Sequence, residues 1–267
     1  MVWARSIAVA GATAAAMLLA APSWADVTVT ETTGGKMFGQ ADLSGTKVTR
    51  VKGHKMRQDT TRQGGDSISM IFDVDAGKMI MLNNTKKEAI VQSTGAFAES
   101  MSKISDADMN ASITASGGSK TVAGMACNLY DAVVSVTFTP MEKQPAMKMT
   151  MKGPLCLSKN APGSADFKEF FSAASEKGFL FTDPTTAKSQ PAMAKAMSTM
   201  LKKTAEGGLP LSSDFTMSFE GEGMMAQMMQ KMGAGKMTSE ATKIETGSIS
   251  DDVFNVPAGY KTKDLGK

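Results

Sequence analysis

Methionine is the residue type with the most distinctive chemistry in this sequence, which has 24 Met among 267 residues. Its thioether side chain is flexible and polarizable, so it adapts to irregular apolar shapes. Soft sulfur ligands also select Cu(I) among biological metals. Two groups of Met have helical spacing, and we take them as candidate ligand-binding residues: Met193 and Met197 in the first group, and Met224, Met225, Met228, Met229 and Met232 in the second.

Three functional interpretations of these Met groups are open. In the first, two Met-rich helices cover a sheet and line a cavity for an apolar small molecule or lipid moiety, as in a carrier protein. In the second, Met224, Met228 and Met232 bind Cu(I), because their i, i+4, i+8 spacing lines one edge of a helix. In the third, exposed Met residues scavenge oxidants, or the domain serves as a structural component of the cell envelope.

Core packing without any ligand competes with all three interpretations. Met147, Met149 and Met151 alternate with polar residues, and this period of two predicts a half-buried strand with every Met on one face. The methionines of such a strand fill a core.

Catalytic residue patterns are sparse. A triad-type acyl-transfer enzyme needs a His between its nucleophile and its acid. His54 is the only His in the sequence, and it falls in a Lys-Gly-His-Lys turn between two predicted strands, where a solvated imidazole is typical. Phosphate-binding Gly motifs and His-based metal signatures do not occur in the sequence. The sequence therefore predicts a protein that is not an enzyme and uses no cofactor.

The N-terminal residues predict export. Residues 1–25 have the features of a signal peptide: Arg5, an apolar stretch over Ile7–Ala21, and the small-x-small site Ser23-Trp24-Ala25. The stretch is rich in Ala and is followed by Pro22, which disfavours a transmembrane anchor. We expect a mature chain of residues 26–267 in the periplasm or secreted, without a transmembrane span.

Composition limits what this mature chain binds. Arg5 is the only charged residue of the predicted signal, so the formal net charge falls from +3 to +2 on cleavage. Such a charge lacks the concentrated basicity of nucleic-acid-binding domains. Cys127 and Cys156 are the only Cys residues, and in an oxidising compartment an even pair predicts one structural disulfide. We expect a single domain that is a monomer.

Short segments rich in β-branched residues, separated by turn residues, predict an antiparallel meander over the first part of the mature chain. Further strands are predicted at 110–115, 128–139, 146–152, 211–219 and 238–248. Helical periodicity is found at 164–175 and 191–205, and in the segment 224–232. The pattern predicts an α+β fold in which two or three helices cover one antiparallel sheet.

Four segments resemble the bacterial family known as domain of unknown function 4412. Val51–Arg57 resembles the family's hairpin, and Met79–Asn83 resembles its Met-x-x-Leu strand. Val122–Tyr130 is similar to its Gly-x-x-Cys-x-x-Tyr stretch, and Phe254–Tyr260 is similar to its closing Phe-x-Val-Pro-x-Gly-Tyr motif. The family occurs widely in exported proteins and has no established activity.

The resemblance implies a fold like that of the periplasmic carriers of lipoproteins. That fold is a strongly curved antiparallel sheet, an open half-barrel, with helices over an apolar cavity. No catalytic residue comes with the resemblance.

Overall fold

Thirteen strands form one sheet that runs through the described part of the chain. The computed structural model describes residues 26–37, 41–93, 109–138, 145–176 and 191–264. The predicted signal peptide at 1–25 lies outside these residues. The strands are β1 (Val27–Met37), β2 (Ala41–Asp42), β3 (Gly45–Lys52), β4 (Lys55–Arg62), β5 (Ser67–Asp73), β6 (Lys78–Asn83), β7 (Glu88–Ser93), β8 (Met109–Val122), β9 (Met125–Phe138), β10 (Met147–Ser158), β11 (Leu209–Gly221), β12 (Gly235–Thr246) and β13 (Lys261–Asp264).

The strand order is β13-β7-β6-β5-β4-β3-β1-β12-β11-β10-β9-β8, with β2 paired to β1. The sheet is open, and β13 and β8 are its edges among the described strands. The prediction of a purely antiparallel sheet is wrong at one edge, because β13 runs parallel to β7. The chain reaches this edge through a long connection rather than a hairpin, and such a connection permits the parallel direction.

Three α-helices in the described residues accompany the sheet: α1 (Ser164–Glu176), α2 (Pro191–Gly207) and α3 (Met224–Lys231), with a 3-10 helix at Asp251–Phe254. Pro191 occupies the first turn of α2, where its missing N–H is not needed. Gly208, with a φ of 118°, follows the end of α2 in a conformation that favours glycine. The combination of a sheet with helices confirms the predicted α+β class.

One core lies between α1 and the sheet. Phe167, Phe170 and Phe171 of α1 are buried and form one cluster with strand residues that include Val27 and Val51. The rings of Phe170 and Phe171 meet edge to face, with centroids 5.3 Å apart. The chain enters α1 through Gly163, where an added Cβ would lie 2.3 Å from Val27. A side chain at this position would therefore displace the start of α1 from β1.

A second core lies where the C-terminal segment packs on the sheet. Phe254 forms a buried cluster with Ile71, Leu82 and Ala89 of β5, β6 and β7. Val256 and Tyr260 pack against the same cluster. The neighbouring residue Phe72 belongs to the α1 core. Since successive residues of a strand point to opposite faces, β5 is covered by α1 packing on one side and by the C-terminal segment on the other.

A third core lies beneath α2, which contacts β8, β9, β10 and β11. Met147, Met149 and Met151 are buried, whereas Lys148 and Lys152 are exposed and Thr150 is half-buried. This alternation confirms the predicted half-buried strand. Met151 forms a cluster with Ala196 and Met200 of α2, so this strand methionine is part of a packed core.

The Cys127–Cys156 disulfide is present and joins β9 to β10. Leu129 of β9 pairs with Cys156 of β10, so the two cysteines lie on adjacent strands close to one register position. Both cysteines are buried. The predicted pairing is confirmed.

Replacing both cysteines with Ala is expected to lower the free energy of unfolding by about 3 to 4 kcal/mol, because the bridge closes a loop with a sequence separation of 29. Urea unfolding of a protein made of residues 26–267 measures this change. Reductant should destabilise the wild type by a similar amount and leave the double variant unaffected. Equal unfolding midpoints for the two proteins would contradict the expectation.

Candidate functional site

The structure separates the methionines that the sequence grouped together. Met224, Met228 and Met232 are 80%, 48% and 38% exposed and line none of the cavities described below. Met225 and Met229 are half-buried on the same helix, α3, which packs on β11. Met193 and Met197 belong to α2, and their side chains lie outside the described residues. A binding role for these seven residues stays a prediction.

A cavity of about 190 Å³ lies between α2 and the sheet. Its apolar wall consists of Met151 and Leu155 of β10, Phe215 of β11, and Met200 and Leu201 of α2. Met151, Leu155 and Met200 are buried, and Leu201 and Phe215 are half-buried. Flexible Met side chains on two sides give this wall an adaptable shape.

The opposite end of the same cavity is polar. Glu31 of β1 and Lys47 of β3 line it, and Lys47 Nζ lies 2.8 Å from Glu31 Oε2. The hydroxyl of Ser239 donates a hydrogen bond to Glu31 Oε1. The Glu31 side chain is only 10% exposed, so this carboxylate depends on these two partners for the interactions that water would otherwise supply.

Strand register orders these groups from polar to apolar across the sheet. Lys47 pairs with Glu31 between β3 and β1. Ser239 of β12 pairs with Ser213 of β11, and Ser213 pairs with Leu155 of β10. The cavity therefore changes from charged, through hydroxyl, to aliphatic as it crosses the strands toward β10.

A larger groove of about 700 Å³ has a different character. Thr32, Ser212 and Glu240 line it, and they occupy one register row on β1, β11 and β12. Thr32 and Glu240 directly follow Glu31 and Ser239, so they point to the other face of the sheet. Lys120 of β8 reaches Glu240 at 3.4 Å across this groove, and both side chains are solvated. Leu155, Ser212, Ser213 and Ser239 line both this groove and the cavity beneath α2. The other residues of the groove are mostly Thr and charged residues, which suit an apolar ligand less well than the wall beneath α2 does.

The chain matches the family described as Domain of unknown function (DUF4412) over residues 37–260. It belongs to this family. No curated protein matches the chain. The family description names no activity, so the chemistry of this DUF4412 protein has to be argued from its own residues.

Several of the DUF4412-like motif residues have structural contacts. Arg57, which ends the hairpin motif, donates to Asp59 at 2.7 Å and to the Val253 carbonyl at 2.8 Å. Tyr260, which ends the closing motif, donates its hydroxyl to Asn84 Oδ1 at 2.8 Å. Asn84 in turn donates to Ser69, a residue with no exposed area. These bonds hold the C-terminal segment of the DUF4412 domain against β4 and the turn after β6, and Asn84 extends the contact to β5. Arg57 and Tyr260 therefore stabilise the fold.

His54 lies in the turn between β3 and β4, as the sequence predicts. Its Nδ1 is 3.1 Å from Asp75, and its Nε2 is 3.8 Å from Glu169 of α1. Nearby, burial raises the pKa of Asp166, with smaller contributions from the negative charges of Glu169 and Asp26. A hydrogen bond to the Asp166 backbone partly offsets this shift. His54 thus lies between Glu169 in α1 and Asp75 in the turn after β5.

Within the described residues, no group of three or more His, Cys, Asp or Glu side chains is placed to hold a metal ion. Within the same residues, no helix has the length and apolarity needed to cross a membrane.

Sequence reasoning missed the polar end of the cavity. Glu31 lies in a Thr-rich strand segment, and this local sequence predicts a solvated surface residue. Its burial results from pairing with Lys47 and from the position of Ser239, more than 200 residues away in the chain. The register shift between Thr30 and Glu31 is also a property of the paired strands and leaves no mark in local sequence.

Mild hydrogen peroxide is expected to oxidise Met224 to the sulfoxide well before Met56, Met79 and Met149, because Met224 is 80% exposed and the other three are each 1% exposed. Peptide mass spectrometry over a time course measures the order of oxidation. In protein unfolded with urea the four rates should converge. Equal oxidation rates for Met224 and the three buried methionines in the folded protein would contradict this difference in exposure.

Proposed function

We propose that the protein is a non-enzymatic binding or carrier protein that acts in the periplasm or after secretion. Its ligand is apolar, such as the acyl chain of a lipid or lipoprotein, and it is held between α2 and the sheet. The observation that carries this proposal is the cavity beneath α2, whose wall of Met, Leu and Phe side chains leaves about 190 Å³ open. Apolar walls with a few placed polar groups are typical of small-molecule sites.

Export is supported by two features. Residues 1–25 have the pattern of a cleavable signal peptide. The Cys127–Cys156 bridge is typical of proteins that fold in an oxidising compartment. The half-barrel shape of lipoprotein carriers is part of the same proposal, since a curved open sheet with a helix over one face is the arrangement that such carriers need.

The way α2 packs supports ligand entry. Two of its buried side chains are small, Ala196 and Ala205, which are 0% and 3% exposed. Cavities for drug-sized ligands span about 300–1,000 Å³, so a longer chain requires α2 to shift outward or Met200 to change rotamer. Small contacts and a flexible thioether lower the cost of both movements.

The test uses N-phenyl-1-naphthylamine, a neutral apolar probe that fluoresces in dry surroundings, with the purified mature protein. We expect saturable binding at micromolar protein. Replacing Leu201 with Trp fills the cavity from α2 and should weaken probe binding about tenfold or more, since even one methylene group matters in an apolar pocket. Fluorescence titration measures the dissociation constant.

Ile68→Trp is the matched control, because Ile68 is 38% exposed and lies on β5 away from the cavity. It should bind the probe as the wild type does. Far-UV circular dichroism and thermal melts establish that both variants are folded. No probe binding by the wild type, or an equal loss in both Trp variants, would refute the proposed site.

A second candidate function is Cu(I) binding, favoured by the exposure of Met224 and Met228 on the outward side of α3 and of Met232 directly after its last residue. Side chains one helical turn apart are neighbours, with Cβ atoms about 5–6 Å apart. Accessible thioethers at this spacing suit a soft ion such as Cu(I).

Anaerobic Cu(I) titration against a competing chelator tests this second function. Changing all three residues to Leu should abolish binding, because Leu keeps the apolar volume and removes the sulfur. Leu at both Met225 and Met229, which are half-buried on the same helix, is the control and should retain it. A stoichiometry of zero for the wild type would end this hypothesis.

A further inference from the structure

The polar end of the cavity beneath α2 holds a buried charge that core packing does not require. Glu31 is 8% exposed as a residue, yet it lies in a strand whose neighbouring buried positions, Val27 and Val29, are apolar. An unpaired buried carboxylate is strongly destabilising, so Glu31 depends on Lys47 and Ser239. An apolar residue at this position would avoid that dependence. A buried charge retained in the wall of a cavity points to recognition of a ligand group.

An irregularity in the sheet positions this carboxylate. The pairing of β1 with β12 shifts between Thr30 and Glu31, where Thr242 is the extra residue on β12. Thr242 donates its hydroxyl to the Thr30 carbonyl at 3.1 Å. Such bulges redirect side chains and are common beside functional sites. Here the bulge lies at the residue that forms the polar end.

We propose that Glu31 and Lys47 select the headgroup of an amphiphilic ligand, favouring a neutral hydroxyl or amide head on an acyl chain over a free carboxylate. This inference rests on the proposed function, because it assumes that the tail lies in the cavity. The polar-to-apolar order of Lys47, Glu31, Ser213 and Leu155 across the strands gives the ligand its direction. The head lies at β1 and β3, and the tail runs toward β10 and α2. At a strand spacing of about 4.8 Å, β1 and β10 are about 14 Å apart.

The selection follows from the charges at the polar end. An ionised Glu carboxylate only accepts hydrogen bonds, and its two oxygens have more sites than Ser239 and Lys47 fill. A hydroxyl or amide N–H of the ligand donates to a remaining site. The Lys47 ammonium has three N–H donors, so it can also donate a hydrogen bond to the carbonyl oxygen of an ester or amide.

A free carboxylate head fits poorly at the same place. It would bring a second negative charge beside Glu31, whose side chain is 10% exposed and therefore weakly screened. It would also compete with Glu31 for the single Lys47 ammonium. Like charges that share a poorly solvated site disfavour each other's ionised form.

The experiment measures displacement of N-phenyl-1-naphthylamine from the mature protein by glycerol monolaurate, methyl laurate and laurate, which share one tail. We expect glycerol monolaurate to bind about tenfold more tightly than laurate, the fold-change typical of a hydrogen bond to a charged group. Methyl laurate has no donor and should fall between them. Glu31→Gln, which removes the charge but keeps the shape, should strengthen laurate binding and reduce the preference for glycerol monolaurate over laurate to about twofold or less.

Glu240→Gln is the matched control, since it removes a carboxylate from the same pair of strands but from the other face, where Glu240 pairs with Lys120. It should keep the wild-type preference. If Glu31→Gln does not fold, the order of the three ligands on the wild type still decides the matter. Laurate binding as tightly as glycerol monolaurate, with the probe still bound, would overturn the headgroup inference alone. Failure of the probe to bind at all would overturn the proposed function itself.

Discussion

Burial of the aromatic side of α1 against the sheet is the interaction on which the rest of the structure depends. Phe170 and Phe171 are almost fully buried and join strands from both halves of the sheet order into one cluster, from Met79 of β6 to Leu211 of β11. The twist between neighbouring strands accumulates across a wide sheet. A hairpin connects only two neighbouring strands, so it does not fix the positions of distant strands relative to each other. Helix α1 contacts these distant strands together, and it lies on the same face of the sheet as α2, because α1 and α2 contact each other. The position of the cavity beneath α2 therefore depends on the packing of α1.

The C-terminal segment packs on β5, β6 and β7, on the face of the sheet opposite α1. It combines apolar and polar contacts. Phe254 supplies the apolar contact, while Arg57 and Tyr260 tie the segment to the strands by hydrogen bonds. Partly buried polar groups need partners that fit their geometry, so such a network specifies one docking position more strictly than apolar packing does. Arg57 and Tyr260, which end two of the motifs that resemble the family, therefore have a structural role in this protein.

The methionines divide by their surroundings. Met147 and Met149 of β10 are buried, whereas Met224 and Met228 on the outer side of α3 face solvent. Met200 and Met151 lie between these extremes, in a packed layer that retains open volume. The same residue type thus serves as core filler and as adaptable cavity wall, and only position distinguishes the two. At the far end of the cavity, the paired charges of Glu31 and Lys47 give it a polarity that Met composition alone does not suggest.

The sequence by itself determined the features that depend on local pattern. The α+β class, helices in the regions of α1, α2 and α3, the alternation of Met147, Met149 and Met151, and the Cys127–Cys156 pair follow from periodicity, turn residues and residue counts. The family resemblance follows from short motifs and is confirmed over residues 37–260. Only the tertiary structure decided the parallel direction of β13, the bulge beside Glu31 and the exposure of Met224. These depend on which strands become neighbours, and a carboxylate such as Glu31 becomes a candidate ligand-binding group only when residues distant in the chain close around it.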